Sequence, residues 1–309
     1  MTGQPFPASL GKMNQLYDSF LNYIRCELNM SAHTVSSYMS DLRQWEAFTL
    51  EAFGESFDPL RAEANDLRLW VAYLSSKGIS ARSIRRKIQT LRALYRYLMR
   101  RRGLLNNPAD ELVLARLPKT LPSVIRPEDT VRVLDAGFDS SDFVQVRDRL
   151  IVDMLYSTGM RASELTGLLD VNVDIRAGEL KVLGKRNKER MIPFGDELKD
   201  MITLYRTLRP ATSAPELFVR EDGRRLEYRH LNAIVKNELA GKVSCSKRTP
   251  HVLRHSFATD MLNEGAEITA VQHLLGHASL ATTQIYTHLS YRELQHNYQL
   301  AHPRAQKKG

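Results

Sequence analysis

Between Lys77 and Ala109 the chain has no acidic residue, yet it carries Lys77, Arg82, Arg85, Arg86, Lys87, Arg92, Arg96, Arg100, Arg101 and Arg102. Within this run Ile84, Ile88, Leu91, Tyr95 and Leu98 recur at spacings of four, three, four and three. That period places them on one stripe of an α-helix and turns the cations onto its other faces. Such a helix has to bury its stripe against other elements. It also has to settle its charge, because like charges three and four residues apart repel and the segment supplies no acid of its own. A polyanion answers that need, since guanidiniums on a helix in a nucleic-acid groove reach phosphates and guanine edges. A solvated basic face is the plainer alternative.

The flanking sequence has the same period. Met13, Leu16, Tyr17, Phe20, Tyr23 and Ile24 predict a helix over 13–28. Ser31 reads as the N-cap of a second helix running to about Leu50, with Val35, Tyr38, Met39, Leu42, Trp45 and Phe48 inward. Asp66 is expected to cap a short third helix that ends at Gly78, and Ser80 to cap the basic one. Four helices without a convincing strand make an all-α domain over roughly residues 10–115. Pro118, Pro122 and Pro127 then break helical structure, so 116–124 read as a linker, with Arg116 and Lys119 suited to passage near DNA. Further on, 142–157 and 161–168 read as helices, GELKVLGKRNKERMIPFG as two short strands around a polar turn, and about 195 to 296 as several helices. The second domain is therefore mainly α with a small antiparallel sheet.

Composition narrows the classes. At about 150 residues per domain, 309 residues suit two domains. Lys+Arg number 44 against 35 Asp+Glu, a net charge of +9 that points to a polyanionic partner, nucleic acid first. No apolar run approaches the ~20 residues that span a bilayer. The N-terminus lacks a basic stretch followed by an apolar one, so secretion is not expected. Cys26 and Cys245 make no disulfide framework, and a reducing cytoplasm fits.

Residues able to do chemistry stand beside turns and helix ends. In TPHVLRHSFATDML, Pro250 marks a helix start, and His251 and Arg254 share one face near it, a place suited to hold a phosphate. LLGHASLATTQIYTHL supplies His277 and Tyr286, STGMRASEL supplies Arg161 just after Gly159, and the hairpin turn supplies Lys185. Each has a structural alternative. Arg161 and Arg254 can be ion-pair partners, Glu164 lies three residues from Arg161, and Lys185 sits among Lys181, Arg186, Lys188 and Arg190 in what can be a solvated loop. His251 with His255 and His273 with His277 have a spacing zinc can use, but no HExxH occurs and no cysteine is near, so no metal is expected. GKR at 184–186 lacks the residues of an ATPase phosphate loop.

Together, TGMRASEL, HVLRH and GHASLATTQIYTH resemble the hallmark segments of the tyrosine recombinase (phage integrase) family, and TGMRASEL with the closing AHPRA resembles its Xer subgroup. The resemblance covers nearly the whole chain. It implies a mainly α, two-domain protein: a SAM-like, four-helix core-binding domain over 1–115, a linker over 116–124, a mixed α+β catalytic domain over 125–298, and a tail over 299–309 that contacts a neighbouring protomer. It also implies that Arg161, Lys185, His251, Arg254 and His277 activate a phosphate, that Tyr286 is the nucleophile and that Glu164 supports the site. DNA is to be gripped by Arg82, Arg85, Arg86, Lys87, Arg92 and Arg96. Two positions depart from the family's pattern: Arg186 stands where a second glycine is common, and Asp260 where histidine is frequent. Neither is catalytic.

The implied reaction is attack by a phenol on a phosphodiester. A phenol ordinarily titrates at about 10, so it needs help with its proton. His251 is suited to take that proton, two arginines to bind both non-bridging oxygens, His277 to donate a hydrogen bond to the phosphate and Lys185 to protonate the departing 5′ oxygen. A 3′-phosphotyrosine and a free 5′-hydroxyl result, and rejoining needs no ATP, metal or other cofactor. The resemblance further implies a double-stranded recombination site, a paralogous Xer partner in a cyclic heterotetramer, a septum-linked DNA translocase as activator, a cytoplasmic location and the resolution of chromosome dimers. An integrase of a mobile element, a non-catalytic DNA-binding protein and a relaxing topoisomerase are the alternatives.

Overall fold

The computed structural model describes residues 8–54, 57–114, 124–184, 189–276 and 298–302. The chain divides into two compact units, Met1–Thr120 and Leu121–Gly309.

Among its described residues the first unit has four α-helices, α1 (Ala8–Cys26), α2 (Ala32–Phe53), α3 (Ala64–Ser76) and α4 (Ala81–Arg102), with a single 3-10 turn at Pro59–Arg61. Ser31 and Ser80 cap α2 and α4 as expected, each accepting from the backbone N–H three residues on. The third cap differs from the expectation. Glu63 holds the cap position, and Asp66 is already inside α3, where its carboxylate accepts from the Glu63 N–H at 2.9 Å. The apolar stripes meet in one core that includes Phe20, Ile24, Leu42, Leu67, Ile88, Leu91 and Tyr95. At its centre the Trp45 and Trp70 rings lie edge to face, 5.2 Å apart.

Part of the charge of α4 is met within its own unit. The acid missing from its own sequence comes from α2: Asp41 is fully buried and accepts from both Arg86 Nη atoms, from Lys87 Nζ at 2.9 Å and from Thr90 Oγ1 at 2.9 Å. Lys87 Nζ also donates to Gln44 at 2.7 Å. Further along, Arg101 pairs with Glu27, just past the end of α1.

The second unit contains α5 (Pro127–Leu134), α6 (Phe143–Thr158), α7 (Ala162–Thr166), β1 (Val173–Asp174), β2 (Glu179–Leu183), β3 (Glu189–Pro193), α8 (Asp196–Leu208), α9 (Tyr228–Glu238), α10 (Pro250–Asn263) and α11 (Ile268–Leu275). Pro127, expected only to break structure, opens α5, where its fixed φ suits a first turn and its missing N–H costs nothing. The predicted hairpin is present, and β1 adds a short third strand, giving an antiparallel order β1-β2-β3. α6 is buried on every side and packs against α8, α9 and α10.

Tyr298, Ala301 and His302 are buried in the core of their own unit, and the His302 ring stacks on Tyr298 with centroids 4.9 Å apart. The Tyr298 and His302 rings gain free energy from burial in this apolar core. Residues 303–309 lie outside the described set.

Candidate active site

The site is built around the end of α11. A helix leaves its last carbonyls without intrahelical partners, and its C-terminus carries partial negative charge. Here three successive carbonyls are each taken by a different guanidinium. Arg190 Nε donates to Leu274 O at 2.8 Å, Arg254 Nη2 to Leu275 O at 2.7 Å, and Arg161 Nη2 to Gly276 O at 3.1 Å. The three arginines come from β3, α10 and the cap position of α7. Two glycines permit the approach. Gly276 has φ +64° and packs flat on Arg190, and Gly159 has φ +59° with the Phe257 ring where a Cβ would lie. The Gly159 carbonyl accepts from Arg254 Nη1 at 2.6 Å.

Glu164 joins two of the three cations. Its Oε1 accepts from Arg161 Nη1 at 2.8 Å and from Arg190 Nη1 at 2.9 Å. Its Oε2 accepts from the Arg161 backbone N–H at 2.7 Å and from Arg190 Nη2 at 2.9 Å. Burial works against charge on this carboxyl, but the bonds and charges of Arg190 and Arg161 outweigh it and hold Glu164 below the ordinary range. Arg254 is pushed down to about 10, first by burial and then by the like charge of Arg161. At neutral pH it is still cationic, so three guanidiniums stand against one carboxylate, a surplus of two positive charges (3 − 1). Side-chain exposure is 32% for Arg161 and 13% for Arg190, so Arg161 is the more open to an incoming anion.

The structure thus brings together Arg161, Glu164 and Arg254 of the expected site. His251 stands exposed in the first turn of α10, one turn before Arg254. Lys185, His277 and Tyr286 lie outside the described residues, as does Arg186. Lys185 belongs to the connection between β2 and β3, and His277 follows Gly276 in the chain. Asp260 is buried on α10 and accepts from Tyr156 OH at 2.9 Å. Arg190 is the residue that sequence reasoning passed over as one more cation of a basic hairpin. Its signal was the strand period: it shares a face with fully buried Ile192, and its partner across the ladder is buried Val182.

The six basic residues expected to hold DNA separate by exposure. Arg82, Arg86 and Arg96 are exposed, although Arg86 is anchored on Asp41. Arg85 is half-buried with Nη2 3.4 Å from Leu114 O, and Arg92 donates to the carbonyls of Ala109 and Leu112, both at 3.0 Å. Lys87 is buried on Asp41 and Gln44, because an amphipathic stripe wide enough to pack on α2 includes it. Among the described residues no group of three or more His, Cys, Asp or Glu can hold a metal, and no helix is long and apolar enough to cross a membrane.

Comparison with known proteins fits this geometry. Residues 123–293 match the phage integrase family, and 17–102 match the phage integrase N-terminal SAM-like domain. Tyrosine recombinase XerC of Pseudomonas savastanoi pv. phaseolicola is 37% identical over 300 residues, covering 96% of this chain and 99% of that one. Tyrosine recombinase XerC of Mycobacterium bovis is 36% identical over 301 residues, covering 95% and 100%. A XerH site-specific recombinase bound to its difH substrate shares the fold at TM-score 0.68 and 20% identity, covering 95% of this chain and 97% of that one. The chain belongs to the phage integrase family of tyrosine recombinases. Within it, this is a site-specific DNA recombinase of the Xer type.

Proposed function

We propose that Arg161 and Arg254, in the arginine cluster at the end of α11, bind one DNA phosphodiester and that Tyr286 attacks it. The observation that carries this reading is the surplus of two positive charges around Glu164, with Arg161 open to solvent and Arg254 desolvated behind it. Desolvated guanidiniums held in place before the reaction stabilise charge that grows on non-bridging oxygens more strongly than mobile, hydrated ones. The Tyr286 phenol oxygen bonds to phosphorus and gives its proton to His251. The bond from phosphorus to the 5′ oxygen breaks, and Lys185 supplies the proton to that oxygen. His277 donates to a non-bridging oxygen. The products are a 3′-phosphotyrosine and a 5′-hydroxyl, and attack by another strand's 5′-hydroxyl reverses the steps. Arg82, Arg86 and Arg96, exposed on α4, contact DNA, while Arg85 and Arg92 hold the chain that follows α4.

We further propose chromosome-dimer resolution in the cytoplasm, with a paralogous recombinase in a cyclic heterotetramer and a septum-linked translocase as activator; similarity to proteins named tyrosine recombinase XerC, at 36–38% identity, supports the Xer-type reading on which this rests. The test is a nicked duplex carrying a site that this protein selects from a randomised pool. Cleavage next to the nick releases a short strand and traps the protein on DNA. A covalent adduct that disappears in Tyr286→Phe supports the reading. An unsubstituted protein that binds its site and forms no adduct overturns it. Adding a second recombinase reads out the partner, and comparing DNA from the replication terminus with the ends of mobile elements reads out the biological site.

A further inference from the structure

We infer that Arg190 is a positioning residue for strand cleavage, acting through Glu164 and the end of α11 and not by touching the phosphate; this rests on the phosphodiester reading above. Its guanidinium is already committed. Two N–H groups clamp the two oxygens of Glu164, both at 2.9 Å, and Nε holds Leu274 O at 2.8 Å. Arg161 shares the first of these anchors, and its guanidinium bridges Glu164 and the Gly276 carbonyl, two residues past Leu274 at the same helix end. Arg190 therefore holds Glu164 directly and packs beneath Gly276, whose carbonyl is the second partner of the half-buried Arg161.

The packing adds a second constraint. A Cβ built on Gly276 would come within 3.1 Å of Arg190 Nη1 and 3.2 Å of its Cζ, so the guanidinium is the floor on which that glycine lies. The residue after Gly276 is His277. One side chain from β3 thus ties the support of Arg161 to the chain that leads into the expected phosphate donor. The planar fork matters: it meets both carboxylate oxygens and a carbonyl at once, which a lysine ammonium on a flexible stem does not.

The test compares Arg190→Gln and Arg190→Lys with the unsubstituted protein on the nicked duplex described above. DNA affinity, single-turnover cleavage at saturating protein and the thermal midpoint are read together. Both variants should bind DNA within about twofold of the parent, since Arg190 neutralises no phosphate. Cleavage should fall about 100-fold in Arg190→Gln, the scale of a misplacement near 1 Å. Arg190→Lys, which retains the charge on Glu164, should recover about tenfold of that loss. The decisive arm replaces one non-bridging oxygen of the scissile phosphate by methyl. This neutral ester asks less of Arg161, so the deficit of both variants should shrink to less than about tenfold. Equal deficits on both esters, normal cleavage, or a loss confined to DNA affinity would each overturn the inference. If Arg190→Gln does not fold, Arg190→Lys carries the same comparison. An unsubstituted protein that gives no adduct removes the phosphodiester reading itself, a result distinct from any outcome for Arg190.

Discussion

Each unit of the molecule contains one buried carboxylate that binds two cations, and the two are wired differently. Asp41 receives Arg86, Lys87 and Thr90, all from α4, so it welds one helix to another. Glu164 receives Arg161 from the start of α7 and Arg190 from β3, and both guanidiniums continue to carbonyls at the end of α11. The first device ends in its own helix pair. The second joins three separated pieces of chain and leaves one cation facing solvent. Similar residue types thus give a fastening in one place and a reaction site in the other, and what decides is whether the partners come from one element or several.

Substitutions at the two carboxylates should separate these roles. Glu164→Gln is expected to have the largest effect. It leaves Arg161, Arg190 and Arg254 facing one another without a countercharge, and cleavage at saturating DNA should fall by about 100-fold or more. The loss has a pH signature. Because the Glu164 carboxyl is held below its ordinary value, its stabilisation is complete above the ordinary glutamate range and disappears as pH falls through the lowered value. Thermal melts of Glu164→Gln and the parent should differ at neutral pH and converge in acid. If they differ equally at every pH, the carboxylate is not ionised in the fold.

Asp41→Asn should act on stability instead. Removing the charge under Lys87 leaves a buried ammonium without its counterion, a loss of about 3–5 kcal/mol, and denaturant unfolding of the first unit should show it. Under conditions where the variant remains folded, the single-turnover cleavage rate of the DNA-bound protein should be near that of the parent. A cleavage defect matching that of Glu164→Gln would erase the contrast between the two clusters.

Asp260→Asn should have the smallest effect, in the opposite direction. Burial raises the Asp260 carboxyl, with the Tyr156 bond opposing it, so the fold prefers the protonated acid. That preference stabilises at low pH and is lost as pH rises through the raised value. Asparagine keeps an acceptor for Tyr156 and cannot ionise. Its melting midpoint should lie above the parent's by about 2 °C at neutral pH, and the difference should vanish in acid. A lower midpoint at neutral pH would mean that the charged form is the one the core needs.

What was legible in the sequence follows the range of each signal. Ser31 and Ser80 cap their helices through bonds three residues away, and the stripes of α1, α2 and α4 repeat within a few turns, so both could be read directly. Pro127 misled because the same locked φ both ends one element and begins another. β1 is a two-residue strand and has no period to detect. Arg161, Glu164 and Arg254 were found by resemblance and lie together. Arg190 and Asp41 were missed as partners because their meaning lies in contacts across 26 and 45 residues of chain, to Glu164 and from Arg86 respectively. The burial of Lys87 was hidden for the same reason. A basic helix looks uniformly exposed until the acid on its neighbour is known.

The central claim is that the cluster around Glu164 directs Tyr286 onto a DNA phosphodiester, and mapping the covalent attachment tests it most directly. The adduct formed on the nicked duplex is digested with protease and nuclease, and the linked peptide is sequenced by mass spectrometry. The account predicts a single nucleotide phosphate on the Tyr286 phenol oxygen, joined through a 3′ linkage, a free 5′-hydroxyl on the released strand, and no linked peptide from Arg161→Ala. Attachment at another residue, linkage through a 5′ phosphate, or an undiminished adduct from Arg161→Ala would contradict it.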